Sequence, residues 1–268
     1  MIATIQEKKS FLCVGLDTNI LKIPSQFSND AKGMLAFNKD IIDATKDHCV
    51  SYKINTAFYE ALGSKGWEAM EETVAYIPDT HFKIADAKRA DIGNTSSQYA
   101  RAFFETLNFD AVTVAPYMGE DSIRPFLEYK NKWTIVLGLT SNSGAADFEM
   151  LPLTGATDMN DQYLYQKVIS TVSKWGNENN LMFVVGATQA AQIKGIRNMV
   201  PDHFLLVPGV GFQGGNLQDI CSNGLNNDCG LLVNVSRAIL YADNHTQFAG
   251  EAARVAREYQ YEMATFLK

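Results

Sequence analysis

The sequence predicts a single (β/α)8 barrel formed by residues 1–268, and three observations support this fold class. Eight short apolar runs rich in β-branched and aromatic residues recur along the 268-residue chain. Segments with helical periodicity separate these runs, and polar side chains collect where the runs end. The predicted strands are Phe11–Leu16, Val50–Ile54, His81–Ala85, Phe109–Ala115, Trp133–Leu139, Leu181–Val185, His203–Val207 and Gly230–Val235.

The helical segments show apolar residues three or four positions apart, the spacing that lines one face of a helix. Asp30 can cap the first long helix, because its carboxylate can accept a hydrogen bond from a backbone N–H of the first turn. The predicted apolar stripes are Met34, Phe37, Ile41 and Ala44; Trp67, Met70, Val74 and Ile77; Val168, Val172 and Trp175; and Phe248, Ala252, Val255, Tyr259 and Met263.

A doubly wound open sheet is the structural alternative. It is weakened because neither a GxGxxG nor a GxxxxGK[ST] loop follows the first predicted strand. No linker or low-complexity tract marks a second domain. The polar segment Ser141–Asn160 is longer than the other connections, and it predicts an extended loop after strand five.

The composition narrows the class of protein. The formal net charge of −7 and the pI of about 5.1 argue against a general nucleic-acid or membrane-surface binder, since both need a positive face. The four cysteines form no CxxC pair, and no apolar stretch is long enough for a signal or a membrane span. We therefore expect a soluble cytoplasmic protein with reduced thiols.

Candidate functional residues lie at the predicted strand ends, which form the catalytic face of such a barrel. Asp17 follows strand one, Lys53 lies near the end of strand two, and Asp86, Lys88 and Asp91 follow strand three. Three further polar segments follow strands five, seven and eight, namely Leu139–Gly144, Pro208–Gly215 and Val235–Arg237.

Strand three carries the most informative pattern. Asp86 and Lys88 are two residues apart, so in an extended chain they point to the same face, together with Ile84. Asp91 falls in the turn into a helix that begins near Asn94. Charges at a strand–helix junction usually form a solvated edge, but the charges at other strand ends favour a functional cluster.

The stretch of residues 82–95, FKIADAKRADIGNT, resembles the signature of the orotidine 5′-phosphate decarboxylase family. Shorter matches follow in the expected order over essentially the whole chain: Gly15-Leu16-Asp17, Tyr52-Lys53-Ile54-Asn55, Leu139-Thr140-Ser141-Asn142, Pro208-Gly209-Val210-Gly211 and Ser236-Arg237-Ala238-Ile239. The chain length and Thr140-Ser141-Asn142 are similar to those of the longer bacterial subfamily.

The resemblance implies decarboxylation of orotidine 5′-monophosphate (OMP) to uridine 5′-monophosphate (UMP), the last step of de novo UMP synthesis, with no cofactor and no metal. It implies a catalytic array of Lys53, Asp86, Lys88 and Asp91. It also implies a homodimer with shared active sites, in which Asp91 reaches across the interface.

The same resemblance implies the substrate contacts. Asp17 and Lys53, with Thr95 of the partner subunit, hold the ribose hydroxyls, while Gln213 and Arg237 bind the phosphate. Pro208 belongs to the glycine-rich segment beside the substrate. A serine after strand five, Ser141 or Ser143, contacts the pyrimidine.

These residue types suit a decarboxylation without an electron sink. Loss of CO2 from C6 leaves a carbanion that the pyrimidine ring delocalises poorly, so a fixed ammonium at Lys88 can stabilise it and then protonate it. Asp86 and Asp91 favour the charged form of Lys88. None of the four histidines ends a predicted strand, which argues against histidine acid–base chemistry and a histidine-bound metal.

Three other functions are compatible with parts of this pattern. A magnesium-dependent barrel enzyme acting on sugar phosphates would share the D-x-K-x-x-D spacing, but Lys53 stands where it needs an acidic metal ligand. A Schiff-base aldolase needs a lysine with a depressed pKa, and Lys88 has two carboxylate neighbours. A non-catalytic nucleotide-phosphate binder would use Arg237, Gln213 and Asp17 but leaves the charged array unexplained.

Overall fold

The computed structural model describes residues 1–154, 162–211 and 214–267. Within these residues, eight parallel strands follow one another in chain order and close into a barrel, which confirms the predicted fold class. The strands are β1 Leu12–Gly15, β2 Ser51–Asn55, β3 Phe82–Arg89, β4 Ala111–Val114, β5 Trp133–Leu139, β6 Leu181–Val185, β7 Phe204–Pro208 and β8 Leu231–Val235.

Helices alternate with the strands. The α-helices are α1 Ile2–Lys8, α2 Ala31–Thr45, α3 Thr56–Glu60, α4 Gly63–Tyr76, α5 Gly93–Arg101, α6 Glu120–Leu127, α7 Leu164–Val172, α8 Ala190–Met199, α9 Leu217–Gly224, α10 Arg237–Leu240 and α11 Phe248–Ala264. Short 3-10 helices occupy Ser143–Asp147 and Ala187–Gln189, and a π-helix occupies Ala102–Thr106. Among the described residues, no helix combines the length and apolarity needed to cross a bilayer.

The chain groups into two compact units. One comprises Met1–Ala87, Glu105–Asp110 and Asn234–Lys268, and the other comprises Lys88–Phe104 and Ala111–Val233. In the first unit, α2 packs against α4 and α11, and Phe37 of α2 stacks on Phe248 of α11 with 5.3 Å between the ring centroids. In the second unit, β5 pairs with both β4 and β6.

The start of α2 has the predicted cap. The Asp30 carboxylate accepts a hydrogen bond from the backbone N–H of Gly33 at 2.9 Å, so one of the unpaired N–H groups of the first turn is satisfied. The predicted apolar stripe of α4 is confirmed at Met70 and Val74, which are buried, but Trp67 is 38% exposed. Because Trp67 lies near the beginning of α4, its ring remains at the surface.

The two histidines predicted to open strands do so. His81 lies one residue before β3, where its Nε2 is 2.9 Å from Lys8 Nζ and 2.8 Å from the carbonyl oxygen of Lys46. His203 lies one residue before β7 and offers its carbonyl oxygen to Arg197. Both residues therefore lie away from the strand ends that carry the candidate site.

Arg197 of α8 is a buried cation whose guanidinium donates hydrogen bonds to backbone carbonyl oxygens. Its guanidinium donates to the carbonyl oxygens of Gly224 and Gly230 (both at 2.8 Å), Val200 (2.9 Å), Pro201 (3.2 Å) and His203 (2.6 Å). Burial lowers the pKa of Arg197 to about 10, so the group stays charged at neutral pH. This one side chain joins the end of α9 to the residues that precede β7 and β8.

We expect Arg197→Met to destabilise the fold by about 3 kcal/mol, because the carbonyl oxygens around it lose a charged donor in a buried place. Urea unfolding followed by circular dichroism measures this loss. Arg254→Met is the control, since Arg254 on α11 pairs with Glu251 and Glu258 at the surface. Equal stability of the Arg197 and Arg254 variants would contradict the structural role given to Arg197.

Candidate active site

Lys53 is the centre of a charged cluster in the first unit. The residue is only 3% exposed, and its ammonium donates to Asp17 Oδ1 at 3.1 Å and to Asp86 Oδ2 at 2.9 Å. Strand pairing brings these groups together: Gly15 of β1 lies opposite Lys53, and Asn55 of β2 lies opposite Asp86. The structure therefore brings together three of the predicted site residues from three neighbouring strands.

The two carboxylates determine the charge state of Lys53. Burial alone would lower its pKa, but the negative charges of Asp17 and Asp86 outweigh burial and raise the pKa above the ordinary value of 10.5. Lys53 is therefore an ammonium at every pH below 10.5. The Lys53 ammonium thus occupies the position between the two carboxylates where a divalent cation would otherwise bind.

Strand β3 extends four residues beyond its predicted end at Ala85, and this changes the interpretation of Lys88. Pairing continues because the Ala115 N–H donates to the Arg89 carbonyl oxygen and the Lys88 N–H donates to Thr113 Oγ1, both at 2.9 Å. Asp86 and Lys88 thus lie within the strand and do not follow it.

The backbone of Lys88 has φ = 48°, in the left-handed region that side-chain-bearing residues rarely adopt. The alternation that predicts Asp86 and Lys88 on one face assumes an extended chain, and the backbone departs from that conformation at Lys88. The Lys88 side chain is exposed. A strained backbone at a charged residue is typical of functional sites, where the surrounding structure holds a conformation that costs about 1 kcal/mol or more.

Asp91 and Thr95 lie between β3 and the first turn of α5. Asp91 Oδ1 accepts a hydrogen bond from the Ile92 N–H at 2.8 Å, and α5 begins at Gly93, one residue before the predicted start. Thr95 and Ile92 are both exposed. Their side chains are thus accessible on the surface of the single chain.

Ser141 and Ser143 both follow β5. Ser141 is half-buried, and Ser143 is exposed and begins a 3-10 helix within the predicted extended loop. Glu149 braces this loop, because its carboxylate accepts from the Thr140 N–H at 2.7 Å and from Thr140 Oγ1 at 2.9 Å. No sequence pattern distinguishes Glu149, since glutamate is common in polar loops. Residues 155–160 of the predicted loop lie outside the described residues.

The loop after β7 is shaped by glycines. Pro208 is the last residue of β7, and Gly209 and Gly211 follow with φ of 100° and 76°. The Gly215 N–H donates to the Gly209 carbonyl oxygen at 3.3 Å, and the Gly211 N–H donates to the Gly215 carbonyl oxygen at 3.1 Å. These backbone bonds fold the loop back on itself. The predicted phosphate ligand Gln213 lies outside the described residues.

Arg237 begins α10 directly after β8 and lines a cavity of about 320 Å³ in the first unit. The cavity is lined by Asp17, Asn19, Lys22, Phe58, Arg237 and Tyr241. It therefore contains two cations, Lys22 and Arg237, and one of the carboxylates that hold Lys53. The sequence interpretation missed Lys22 and Tyr241; the position of Lys22 in the loop after β1 was the one available signal for it.

The fold and its charged strand-end groups define a TIM-barrel enzyme. Residues 10–252 match the family described as "Orotidine 5′-phosphate decarboxylase / HUMPS family". The chain belongs to this family.

The similarity to individual proteins extends over the whole chain. The chain is 53% identical over 271 residues to orotidine 5′-phosphate decarboxylase from Bacteroides fragilis, covering 100% of this chain and 97% of that protein. The structure of Leishmania donovani OMP decarboxylase superposes with a TM-score of 0.81 at 34% identity, covering 97% of both chains. The structure of Leishmania donovani UMP synthase superposes with a TM-score of 0.83 at 35% identity. The match covers 97% of this chain and 56% of that longer chain.

We expect Lys53→Met to cost about 3 kcal/mol of stability at pH 8, because Asp17 and Asp86 would keep two negative charges with no cation between them. The loss should shrink at pH 5, because the repulsion between two carboxylates exists only while both are charged. Urea unfolding at both pH values measures the difference.

The control is Lys65→Met, which removes an exposed lysine paired with Glu68 on α4. Its effect on stability should be small at both pH values. A Lys53 variant whose stability loss is the same at pH 5 and pH 8 would show that the two carboxylates do not depend on Lys53.

Proposed function

We propose that the protein decarboxylates OMP to UMP and CO2 in pyrimidine biosynthesis. The observation that carries this proposal is the buried Lys53 ammonium held between Asp17 and Asp86, with Lys88 two residues further along β3. Fixed alternating charge is what a decarboxylation without a cofactor requires. The 53% identity to a curated decarboxylase over the full chain supports the same reaction.

Lys88 is the proton donor in this proposal. Its ammonium faces C6 of the bound pyrimidine, stabilises the carbanion that forms as CO2 leaves, and then transfers a proton to C6. The left-handed backbone at Lys88 supports this role, because strained conformations of this kind cluster at functional sites. Asp86 and Asp91 complete the charged array.

Substrate binding is divided between two ends of the nucleotide. Asp17 and Lys53 bind the ribose hydroxyls together with Thr95 of the partner subunit, and Arg237 binds the phosphate together with Gln213 and the loop that begins at Pro208. The pyrimidine contacts Ser141 or Ser143. The cavity lined by both Asp17 and Arg237 supports this division, because a carboxylate can accept from hydroxyls and a guanidinium can donate to a phosphate.

The eight strands form one catalytic domain over residues 1–268 in this proposal, acting in the cytoplasm as a homodimer. Exposed Thr95 and Ile92, directly after the charged strand β3, support a contact surface at this place. A two-fold dimer uses the same surface on both partners, so Asp91 and Thr95 of each chain can complete the site of the other.

A magnesium-dependent sugar-phosphate enzyme is the second candidate, because the family description includes a second group beside the decarboxylases. Its metal would need acidic oxygen ligands at the end of β2. Lys53 occupies that position, and its ammonium is within 3.1 Å of both carboxylates, where it would repel Mg²⁺. The geometry around Lys53 therefore favours the decarboxylase.

We expect the purified protein to consume OMP at full rate in excess EDTA, measured by the loss of OMP absorbance and by UMP formation. Lys88→Ala should lower kcat by several orders of magnitude, because it removes an interaction made mainly in the transition state. UMP binding and the circular dichroism spectrum should be retained.

Lys32→Ala, which changes an exposed lysine in the first turn of α2, is the matched control and should leave kcat unchanged. Loss of activity in EDTA that Mg²⁺ restores would favour the sugar-phosphate enzyme. A Lys88 variant with more than about a tenth of the original kcat would exclude Lys88 as the proton donor.

The shared site predicts complementation between inactive variants. Lys88→Ala and Asp91→Asn dimers should each be nearly inactive. After the two are mixed, dissociated and reassociated, about half of the dimers should be mixed, and roughly a quarter of all sites should be intact, because one site then carries both changes and the other none.

Lys88→Ala mixed with Asp86→Asn is the matched control, since both residues come from the same β3 strand and no intact site can form. No recovery in the Lys88 and Asp91 mixture, when mixed dimers are shown to be present, would place Asp91 in the site of its own chain. Equal recovery in the control mixture would show that the gain does not come from combining Lys88 of one chain with Asp91 of the other.

A further inference from the structure

We infer that Ser236 is a positioning residue that orients the Asp17 carboxylate toward the ribose hydroxyls, and that Gly15 is a glycine in order to leave room for it. This inference rests on the proposed function, because it concerns how Asp17 binds the nucleotide. Ser236 lies between β8 and α10, beside Arg237 in the chain.

Each oxygen of the Asp17 carboxylate receives a hydrogen bond from a different element. Lys53 Nζ of β2 donates to Oδ1 at 3.1 Å, and Ser236 Oγ donates to Oδ2 at 2.8 Å. Rotation of the carboxylate would break one or both bonds, so its plane is fixed. Each oxygen keeps further lone-pair capacity, which is what two neighbouring hydroxyls of a ribose need.

Two further residues direct the Ser236 hydroxyl toward Asp17. Asn234 Nδ2 donates to Ser236 Oγ at 3.2 Å. Ser236 Oγ is therefore the acceptor for Asn234, and its own hydrogen is donated to Asp17. Cys13 Sγ in turn donates to Asn234 Oδ1 at 3.7 Å, which sets the orientation of the amide. The hydrogen bonds all run in one direction, and such a chain of donors strengthens its last member.

The Cys13 thiol remains a donor over the working pH range. Burial raises its pKa to about 12, so it stays protonated at neutral pH. The direction of the chain from Cys13 to Asp17 is therefore independent of pH near neutrality.

Gly15 of β1 makes the Ser236–Asp17 contact possible. A Cβ atom built on Gly15 would lie 1.9 Å from Ser236 Oγ and 2.9 Å from Asn234 Oδ1. The first distance is far below any real contact, so a side chain at position 15 would displace the hydroxyl. The glycine and the serine, 221 positions apart in the chain, thus depend on each other.

The test compares two ligands that differ only in the ribose hydroxyls, UMP and 2′,3′-dideoxy-UMP, by titration calorimetry. Ser236→Ala should weaken the binding of UMP about ten-fold relative to that of the dideoxy ligand, because a hydrogen bond to a charged group is lost where the hydroxyls bind. Both ligands carry the phosphate, so any disturbance of Arg237 weakens the binding of both. The ratio of their two Kd values, which we call the ligand ratio, would then be unchanged.

Ser10→Ala is the matched control, since Ser10 is buried and its Oγ donates to the His48 carbonyl oxygen at 2.7 Å near the other end of β1. It should not change the ligand ratio. A Ser236→Ala ratio within about two-fold of the original would overturn the inference. If the unchanged protein failed to decarboxylate OMP, the proposed function would fail instead, so the two failures are distinguishable.

A second measurement applies if Ser236→Ala does not fold. Asn234→Ala keeps the Ser236 hydroxyl but removes the donor behind it, and it should shift the ligand ratio in the same direction by a smaller factor. In addition, Gly15→Ala should destabilise the protein less in a Ser236→Gly background than alone, because the atom it meets is gone. An unshifted ratio in Asn234→Ala, or additive effects at positions 15 and 236, would contradict the inference.

Discussion

The ion pairs of Lys53 with Asp17 and Asp86 are the interaction on which the site depends. A single buried ammonium satisfies carboxylates from two other strands, so it fixes the ends of β1, β2 and β3 relative to one another. Two carboxylates at this spacing would repel each other without it. The same cation leaves Asp17 with an oxygen for Ser236, so the orientation of the carboxylate that we propose to bind ribose also depends on Lys53.

Much of the barrel could be predicted from sequence, because burial on both faces makes its strands continuous apolar runs. β5 and β6 have the predicted bounds, and Asp30 caps α2 as expected. The end of β3 could not be predicted. Asp86 and Lys88 are polar, so the apolar run stops at Ala85, while the hydrogen bonds that extend the strand come from Thr113 and Ala115, residues distant in the chain.

The candidate site was predictable where chemistry alone marks a residue, as with lysine and aspartate at strand ends. Supporting residues were not. Glu149, Asn234 and Ser236 act through contacts that join distant parts of the chain, and serine, asparagine and glutamate are common at exposed loops. The reason that a glycine and a serine occur together is visible only in three dimensions, because a Cβ atom added to Gly15 would collide with the Ser236 hydroxyl.

In the proposed mechanism the reaction needs a lysine at position 88, whereas the left-handed backbone there favours a glycine for stability. Glycine would occupy this conformation without steric cost, whereas a lysine is strained there. A screen that rewards thermal stability alone should therefore enrich glycine at position 88 and discard the ammonium. Engineering this scaffold for heat resistance thus requires that position 88 be held constant while the rest of the barrel is varied.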